Sequence, residues 1–141
     1  MLFDLGDARR LMDLPGFGYA AVDKATRAHW QTTMPRYLET RAALAGLVLI
    51  ADVRHPLKED ELNFVSWTLA ARVPLVVLLN KADKLGRQAT LLAMRAAGRE
   101  IAARGGDAGA VMAFSATTPT GVPELRALLH DWFTAEWVDE E

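Results

Sequence analysis

The chain contains no cysteine, so neither a disulfide framework nor a thiolate metal site is open to it. It has no apolar run approaching the length of a membrane-spanning helix. Its first ten residues, MLFDLGDARR, lack an apolar stretch after a basic start and do not read as a signal peptide. Charge of one sign is not in excess: 16 Lys and Arg face 18 Asp and Glu, for a net charge of −2, and no basic surface announces nucleic-acid binding. Repeats and low-complexity tracts are absent, and 10 Gly with 6 Pro suggest neither disorder nor a fibrous chain. The three histidines, His29, His55 and His130, have no metal-ligand spacing and read as surface or packing residues. These absences leave a soluble, cytoplasmic protein without a membrane partner as the expectation. The 141 residues, 51% of them hydrophobic, suffice for one domain, residues 1–141, with a real core.

What is present is an alternation of short apolar runs with stretches of helical spacing. Residues 47–51 and 75–79 are continuously apolar, the pattern of strands covered on both faces of a parallel sheet. Residues 110–114 and 9–12 read as further strands, and residues 2–5 pair with the latter as a hairpin turning at Gly6-Asp7. Asp23 is a good N-cap for a helix running toward Leu44, which Pro35 should kink or break. Residues 59–71 place Leu62, Val65 and Leu69 on one helical face, and residues 87–103 form an Ala-rich, weakly amphipathic helix. In the last helix Pro123 sits in the first turn, followed by a stripe of Leu125, Leu128, Leu129, Trp132 and Phe133. The acidic end, Asp139-Glu140-Glu141, is expected to fray. The order β-β-α-β-α-β-α-β-α is that of an α/β domain.

Ligands of open α/β sheets bind beyond the carboxyl ends of the strands. Four segments occupy such positions: Asp13-Leu14-Pro15-Gly16, Asp52-Val53-Arg54-His55-Pro56, Asn80-Lys81-Ala82-Asp83 and Ser115-Ala116-Thr117. A carboxylate at Asp83 can accept from N1–H and the exocyclic amine of guanine, and adenine has no such pair of donors. Asn80 can bridge the base edge to neighbouring loops, and the apolar stem of Lys81 can lie over a purine ring. Asn, Lys and Asp also make ordinary strand-end turns. The Ala116 backbone N–H would meet guanine O6, and Ser115 Oγ would steady Asp83, although a plain capping turn before Pro119 explains the same residues. At the other end Asp13 can hold a magnesium-bound water, and Gly16 brings its N–H close to a γ-phosphate. Gly16-Phe17-Gly18 reads as a loop that moves with phosphate occupancy.

Taken together, these segments resemble the EngB/YsxC-type ribosome-biogenesis GTPases, a branch of the translation-factor-related GTPases. The resemblance runs from about Phe3 to Phe133. It is carried by residues 13–20, Tyr37-Leu38-Glu39-Thr40-Arg41, Asp52-Val53-Arg54-His55-Pro56-Leu57-Lys58, residues 80–85, Phe114-Ser115-Ala116 and residues 121–126. The D-x-R-H-P segment is the most family-specific of these; Asn80 stands where family members often have Thr. The resemblance implies a three-layer P-loop-GTPase-like fold, a mostly parallel sheet with helices on both faces. It implies GTP/GDP and Mg²⁺ as cofactors. The nucleotide site would be Asp13, Leu14, Pro15, Gly16, Asn80, Lys81, Ala82, Asp83, Phe114, Ser115 and Ala116, with Asp13 reaching the metal only through water. It further implies a role in assembling the large ribosomal subunit, with ribosomal RNA and protein as partners, and a link to cell division and septation.

One departure is large. The phosphate loop G-x-x-x-x-G-K-[ST] occurs nowhere in the chain, nor does the switch segment with a magnesium-binding Thr. The family places both upstream of the equivalent of Leu2-Phe3, so the expectation is an N-terminally truncated G domain with a gap between strands 9–12 and 47–51. Phe17 stands where many regulatory GTPases have a water-orienting Gln, which implies slow intrinsic hydrolysis. Two other readings stand beside a GTPase: a degenerate G-domain fragment acting as an interaction module without nucleotide, and an unrelated α/β enzyme using Asp13, Asp52 and Asp83. The latter lacks a nucleophile.

Overall fold

The computed structural model describes residues 2–13, 24–40 and 43–135. Their elements are β1 (Leu2–Gly6), β2 (Arg9–Met12), α1 (Lys24–Thr40), β3 (Leu47–Asp52), α2 (Glu59–Ala70), β4 (Leu75–Asn80), α3 (Arg87–Ala103), β5 (Val111–Ala113) and α4 (Val122–Thr134), with a 3₁₀ turn at Ala82–Lys84. The order of strands and helices follows the apolar pattern of the sequence. Asp23, the phosphate-side residues 14–18 and the acidic tail lie outside the described residues.

The two apolar runs become neighbours in a parallel sheet of order β3-β4-β5. Parallel neighbours need a crossover, and α2 and α3 supply the two that this sheet requires. Strand alternation sends Leu49, Ala51, Val77, Leu79 and Val111 to one face. There they form a single core with Phe64 and Val65 of α2 and Ala97 and Ile101 of α3, and Met34 of α1 packs against it. Val76 and Leu78 point the other way and are still only 2% exposed, so β4 is covered on both faces. On β3 the outward Ile50 is 61% exposed. Among the described residues α4 takes no part in the first core; its Trp132 ring lies directly against Gly46, at the entrance to β3. No larger residue than glycine fits under that ring.

Among the described residues β1 and β2 pair only with each other, antiparallel, in a separate two-stranded sheet. The turn falls at Asp7-Ala8, one residue later than Gly6-Asp7, because Gly6 stays in the strand beside an irregular register between Asp4 and Gly6. Asp7 and Ala8 take φ of 51° and 63°, the left-handed pair of a tight hairpin turn. The hairpin exposes Leu2, Phe3, Leu5, Leu11 and Met12, and Arg9 reaches back over the Phe133 ring of α4 at 5.9 Å.

Pro35 does not break α1, which runs unbroken from Lys24 to Thr40. The missing N–H forfeits one helical hydrogen bond. Burial of Leu38 at 2% exposure and packing of Met34 on the core hold the turn on either side of it. At the start of α2, Glu59, Asp60 and Glu61 face the positive end of the helix. Glu61 accepts the Lys58 N–H at 3.1 Å, and its burial pushes its carboxyl up.

Gly98 gives a test of the packing. A mid-helix Gly→Ala change ordinarily gains about 1 kcal/mol. A Cβ at Gly98 would stand 2.6 Å from the backbone carbonyl oxygen of Ala108. Overpacking of that kind costs about 1–3 kcal/mol, so Gly98→Ala should lower the thermal midpoint. A raised midpoint would show that the 108 loop gives way freely.

Candidate functional site

The parallel register fixes where the polar residues meet. Leu47 pairs with Leu75 and each following residue stays in step, so Asp52 stands opposite Asn80. Two backbone bonds then fasten the segment after β4 from both sides. Val53 N–H donates to Asn80 O at 2.9 Å, and Ala82 N–H donates to Phe114 O at 3.0 Å. Phe114 N–H in turn donates to Leu79 O at 3.0 Å. The half-buried Phe114 thus serves the site through its backbone, as the seam between the 80–83 and 114–116 segments. Lys81 takes a φ of 62° and caps the 3₁₀ turn that carries Asp83. That left-handed step lets the chain leave β4 and present Asp83 within one turn.

Ser115 and Asp83 are brought together across 32 residues: Ser115 Oγ donates to Asp83 Oδ1 at 2.8 Å. Ser115 is 1% exposed and is held by paired backbone bonds with Thr120 at 3.1 and 3.2 Å. Thr117 Oγ1 lies 3.3 Å from Ser115 Oγ, which also accepts the Thr118 N–H at 3.2 Å. The serine is therefore fixed, and it fixes one oxygen of the carboxylate. Its hydrogen bond is the leading reason that the Asp83 carboxyl lies below the ordinary aspartate range. Lys84 Nζ, 3.8 Å from Asp83 Oδ2, acts in the same direction. Asp83 is an ionised acceptor at neutral pH. Ala116 beside it is exposed, and its N–H meets no backbone carbonyl among the described residues.

The arrangement includes a pair that motif reading did not assign. Arg54 clamps Asp52 with two parallel bonds, Nε to Oδ1 at 3.0 Å and Nη2 to Oδ2 at 2.8 Å, and its backbone N–H adds a third at 2.9 Å. The guanidinium holds the Asp52 carboxyl far below the usual carboxylate range, and the carboxylate raises Arg54 in return. Lys81 Nζ lies 3.6 Å from Asp52 Oδ2. The signal was the Asp-x-Arg spacing at a strand end, where two residues bring a carboxylate and a guanidinium to one side.

Asp13 follows β2 on the separate hairpin and is exposed; Leu14, Pro15 and Gly16 lie outside the described residues. Among the described residues no group of three or more His, Asp or Glu side chains converges as a metal site. The acceptor and donor set at Asp83, Ser115 and Ala116 suits a guanine edge. The described residues offer magnesium no set of direct ligands. A cavity of about 290 Å³ exists elsewhere, lined by Leu69, Arg72, Leu75 and Ile101 among others, at the opposite end of the strands. Among the described residues no helix is long and apolar enough to cross a membrane.

Comparison with known proteins agrees with the geometry. The chain is 40% identical over 140 residues to "Probable GTP-binding protein EngB" of Shewanella amazonensis (strain ATCC BAA-1098 / SB2B). It is 38% identical to the protein of the same name from Shewanella sp. (strain W3-18-1) and 37% to that of Shewanella baltica (strain OS185). Each match covers 99% of this chain and 64% of the relative, so the chain spans less than two thirds of the length of these proteins. The crystal structure of a probable GTP-binding protein engB superposes with a TM-score of 0.68 at 16% identity, over 87% of this chain and 75% of the other. That likeness shows the fold. No protein-family model matches the chain.

The Ser115–Asp83 bond has a titration signature. A depressed carboxyl stays ionised until the pH falls below the ordinary aspartate value of about 3.9. Ser115→Ala removes the leading cause of the depression, so the Asp83 midpoint should move up. Carboxyl ¹³C shifts followed from pH 7 to 2 measure it; an unmoved midpoint would break the link between the two residues.

Proposed function

We propose, from the premise that this chain is a homologue of the EngB-type GTP-binding proteins, that it recognises the guanine base of a nucleotide at the ends of β4 and β5. The observation that carries the reading is the 2.8 Å bond from the buried Ser115 to Asp83. It fixes Asp83 Oδ1, while Oδ2 has only the exposed Lys84 ammonium at 3.8 Å, which the N1–H and amine donors of guanine would displace, with the Ala116 N–H for O6. Adenine presents no matching donor pair, and burying an unpaired carboxylate edge against it is unfavourable. The aliphatic stem of Lys81 offers a cover for the ring, and Asn80, at the strand end beneath it, ties the loop to β3. Leu14, Pro15, Gly16 and Asp13 are proposed for the phosphate end, with GTP or GDP and Mg²⁺ as the cofactors of a complete site.

The wider reading rests on the family resemblance. The guanine-nucleotide state would govern association with assembly intermediates of the large ribosomal subunit, ribosomal RNA and protein, in the cytoplasm, with a consequent link to cell division and septation. Co-sedimentation with large-subunit precursors in the presence of GTP, GDP or no nucleotide tests it. Nucleotide-independent association would favour an interaction module.

Base choice is the direct test of the guanine site. Asp83→Asn exchanges an acceptor for a donor and so matches the carbonyl that xanthine carries in place of the guanine amine. Losing charge-assisted hydrogen bonds costs about 1.5–3 kcal/mol each. GMP affinity should therefore fall at least about tenfold, with XMP gaining relative to GMP. Competition binding of GMP, XMP and AMP reads this, and an unaltered order of preference would remove Asp83 from the site.

Phosphate number is the second test. The 141 residues hold no G-x-x-x-x-G-K-[ST] loop to cradle the β- and γ-phosphates, so GTP should bind within about tenfold of GMP, in the millimolar range of about −4 kcal/mol. Micromolar, magnesium-dependent GTP binding by this chain, measured by titration calorimetry, would show that other residues supply the cradle.

A further inference from the structure

Two carboxylates and three cations share the strand ends, and their pairing is not the one that sequence proximity favours. Lys81 is two residues from Asp83, yet its ammonium lies 3.6 Å from Asp52 Oδ2, on the neighbouring strand. Asp83 is left with Lys84 at 3.8 Å and with the Ser115 hydroxyl. Asp52 itself does not wander. Arg54 grips both of its oxygens through Nε and Nη2, the Arg54 N–H bonds Oδ1, and the β3–β4 register holds Asp52 opposite Asn80. It is a fixed negative point beside a flexible, half-exposed lysine.

We infer that Asp52 is a positioning residue: by drawing the Lys81 ammonium to β3 it stretches the lysine stem along the strand ends and keeps it off Asp83. The inference rests on the proposed guanine site and deepens it. Lys81 has four rotatable side-chain bonds and two carboxylates within its range. A lysine paired with Asp83 would cover the acceptor that the base needs and would partly cancel its charge. A lysine held at Asp52 keeps a second ammonium off that acceptor, which has Lys84 only at 3.8 Å, and lays its methylenes beside it. Arg54 thereby acts at one further remove, since its bidentate grip is what aims Asp52. The D-x-R spacing acquires a purpose that strand-end geometry alone does not give it.

The test is a double-mutant cycle read on base recognition, with GMP and AMP as probes in ligand-observed NMR titrations of the full 141-residue chain. Asp52→Asn should weaken GMP binding about threefold, the scale of a partly exposed ion pair, with AMP unaffected. Lys81→Met keeps the stem and removes the ammonium, and it should abolish the further effect of Asp52→Asn. Asp52→Glu should restore part of the loss. Where Asp52→Asn does not fold, Lys81→Met alone carries the test, because it leaves the Asp52–Arg54 clamp intact. Its expected loss of GMP affinity supports the inference, and unchanged GMP affinity overturns it. Equal losses for GMP and AMP, or Asp52 and Lys81 effects that simply add, overturn it while leaving the guanine site standing. If Asp83→Asn leaves base preference unchanged, the guanine reading and this inference fall together, and that outcome is distinct from failure of the cycle alone.

Discussion

Parallel pairing of β3, β4 and β5 is the constraint on which the rest of the structure depends. Parallel strands with helical crossovers deliver every carboxyl end to the same edge, and an in-step register from Leu47–Leu75 to Asp52–Asn80 sets the polar ends level. The apolar runs that make the register are buried on both faces at β4, where Val76, Val77, Leu78 and Leu79 are all at most 2% exposed. A slip of one residue would turn this whole set over and separate Asp52 from Asn80. Core packing and site geometry are thus one specification: the same side chains that close the sheet decide which loops stand side by side.

On that base the loops are fixed by few bonds of high quality. Val53 to Asn80 and Ala82 to Phe114 are backbone bonds at the margins of the sheet that tie one strand-end segment to the next, and Ser115 to Thr120 closes the loop after β5 on itself. The side-chain bonds then act over short, already restricted distances. Ser115 is nearly fully buried, so its hydroxyl has little freedom to lose when it holds Asp83. Asp52 is ionised under every ordinary condition because Arg54 satisfies it from both oxygens. Exposed single ion pairs contribute little to stability; what these contribute is direction, since Arg54 fixes where Asp52 lies and Ser115 fixes Asp83.

Much of this was legible in the sequence because it is written in local pattern. The continuous apolar runs at 47–51 and 75–79 read as strands covered on both faces; both are strands, but only β4 has that cover among the described residues, since Ile50 of β3 is 61% exposed, while the helical stripe of α4 and the spacing of α2 needed no tertiary information. The pairing of Ser115 with Asp83 was legible for a different reason: the chemistry of guanine demands an acceptor and a steadying hydroxyl, and two strand-end segments offered them. Pro35 misled because local propensity counts one lost bond and cannot count the burial of Leu38 and the packing of Met34 on the core that outweigh it. The hairpin turn moved by one residue because Gly6 adopts a positive φ within the strand, a choice that sequence leaves open between neighbouring residues. The Asp52–Lys81 contact was illegible. Which of two reachable carboxylates a lysine chooses depends on the register of a strand 30 residues away.

The two ends of the site have different physical footing. The base end stands on a sheet whose central strand is buried on both sides, and its loops are cross-bonded to that sheet. Asp13, proposed for the phosphate end, follows a two-stranded hairpin that shares no strand pairing with that sheet among the described residues. Two-stranded hairpins are marginal alone. This one exposes five large apolar side chains, and Arg9 over Phe133 is its visible tie to α4. Opening the hairpin would therefore leave the Asp83–Ser115 geometry intact, whereas slipping β4 would destroy it. The sites proposed for the base and for the phosphates are therefore physically separable in this chain, and the first is the one that rests on the buried sheet.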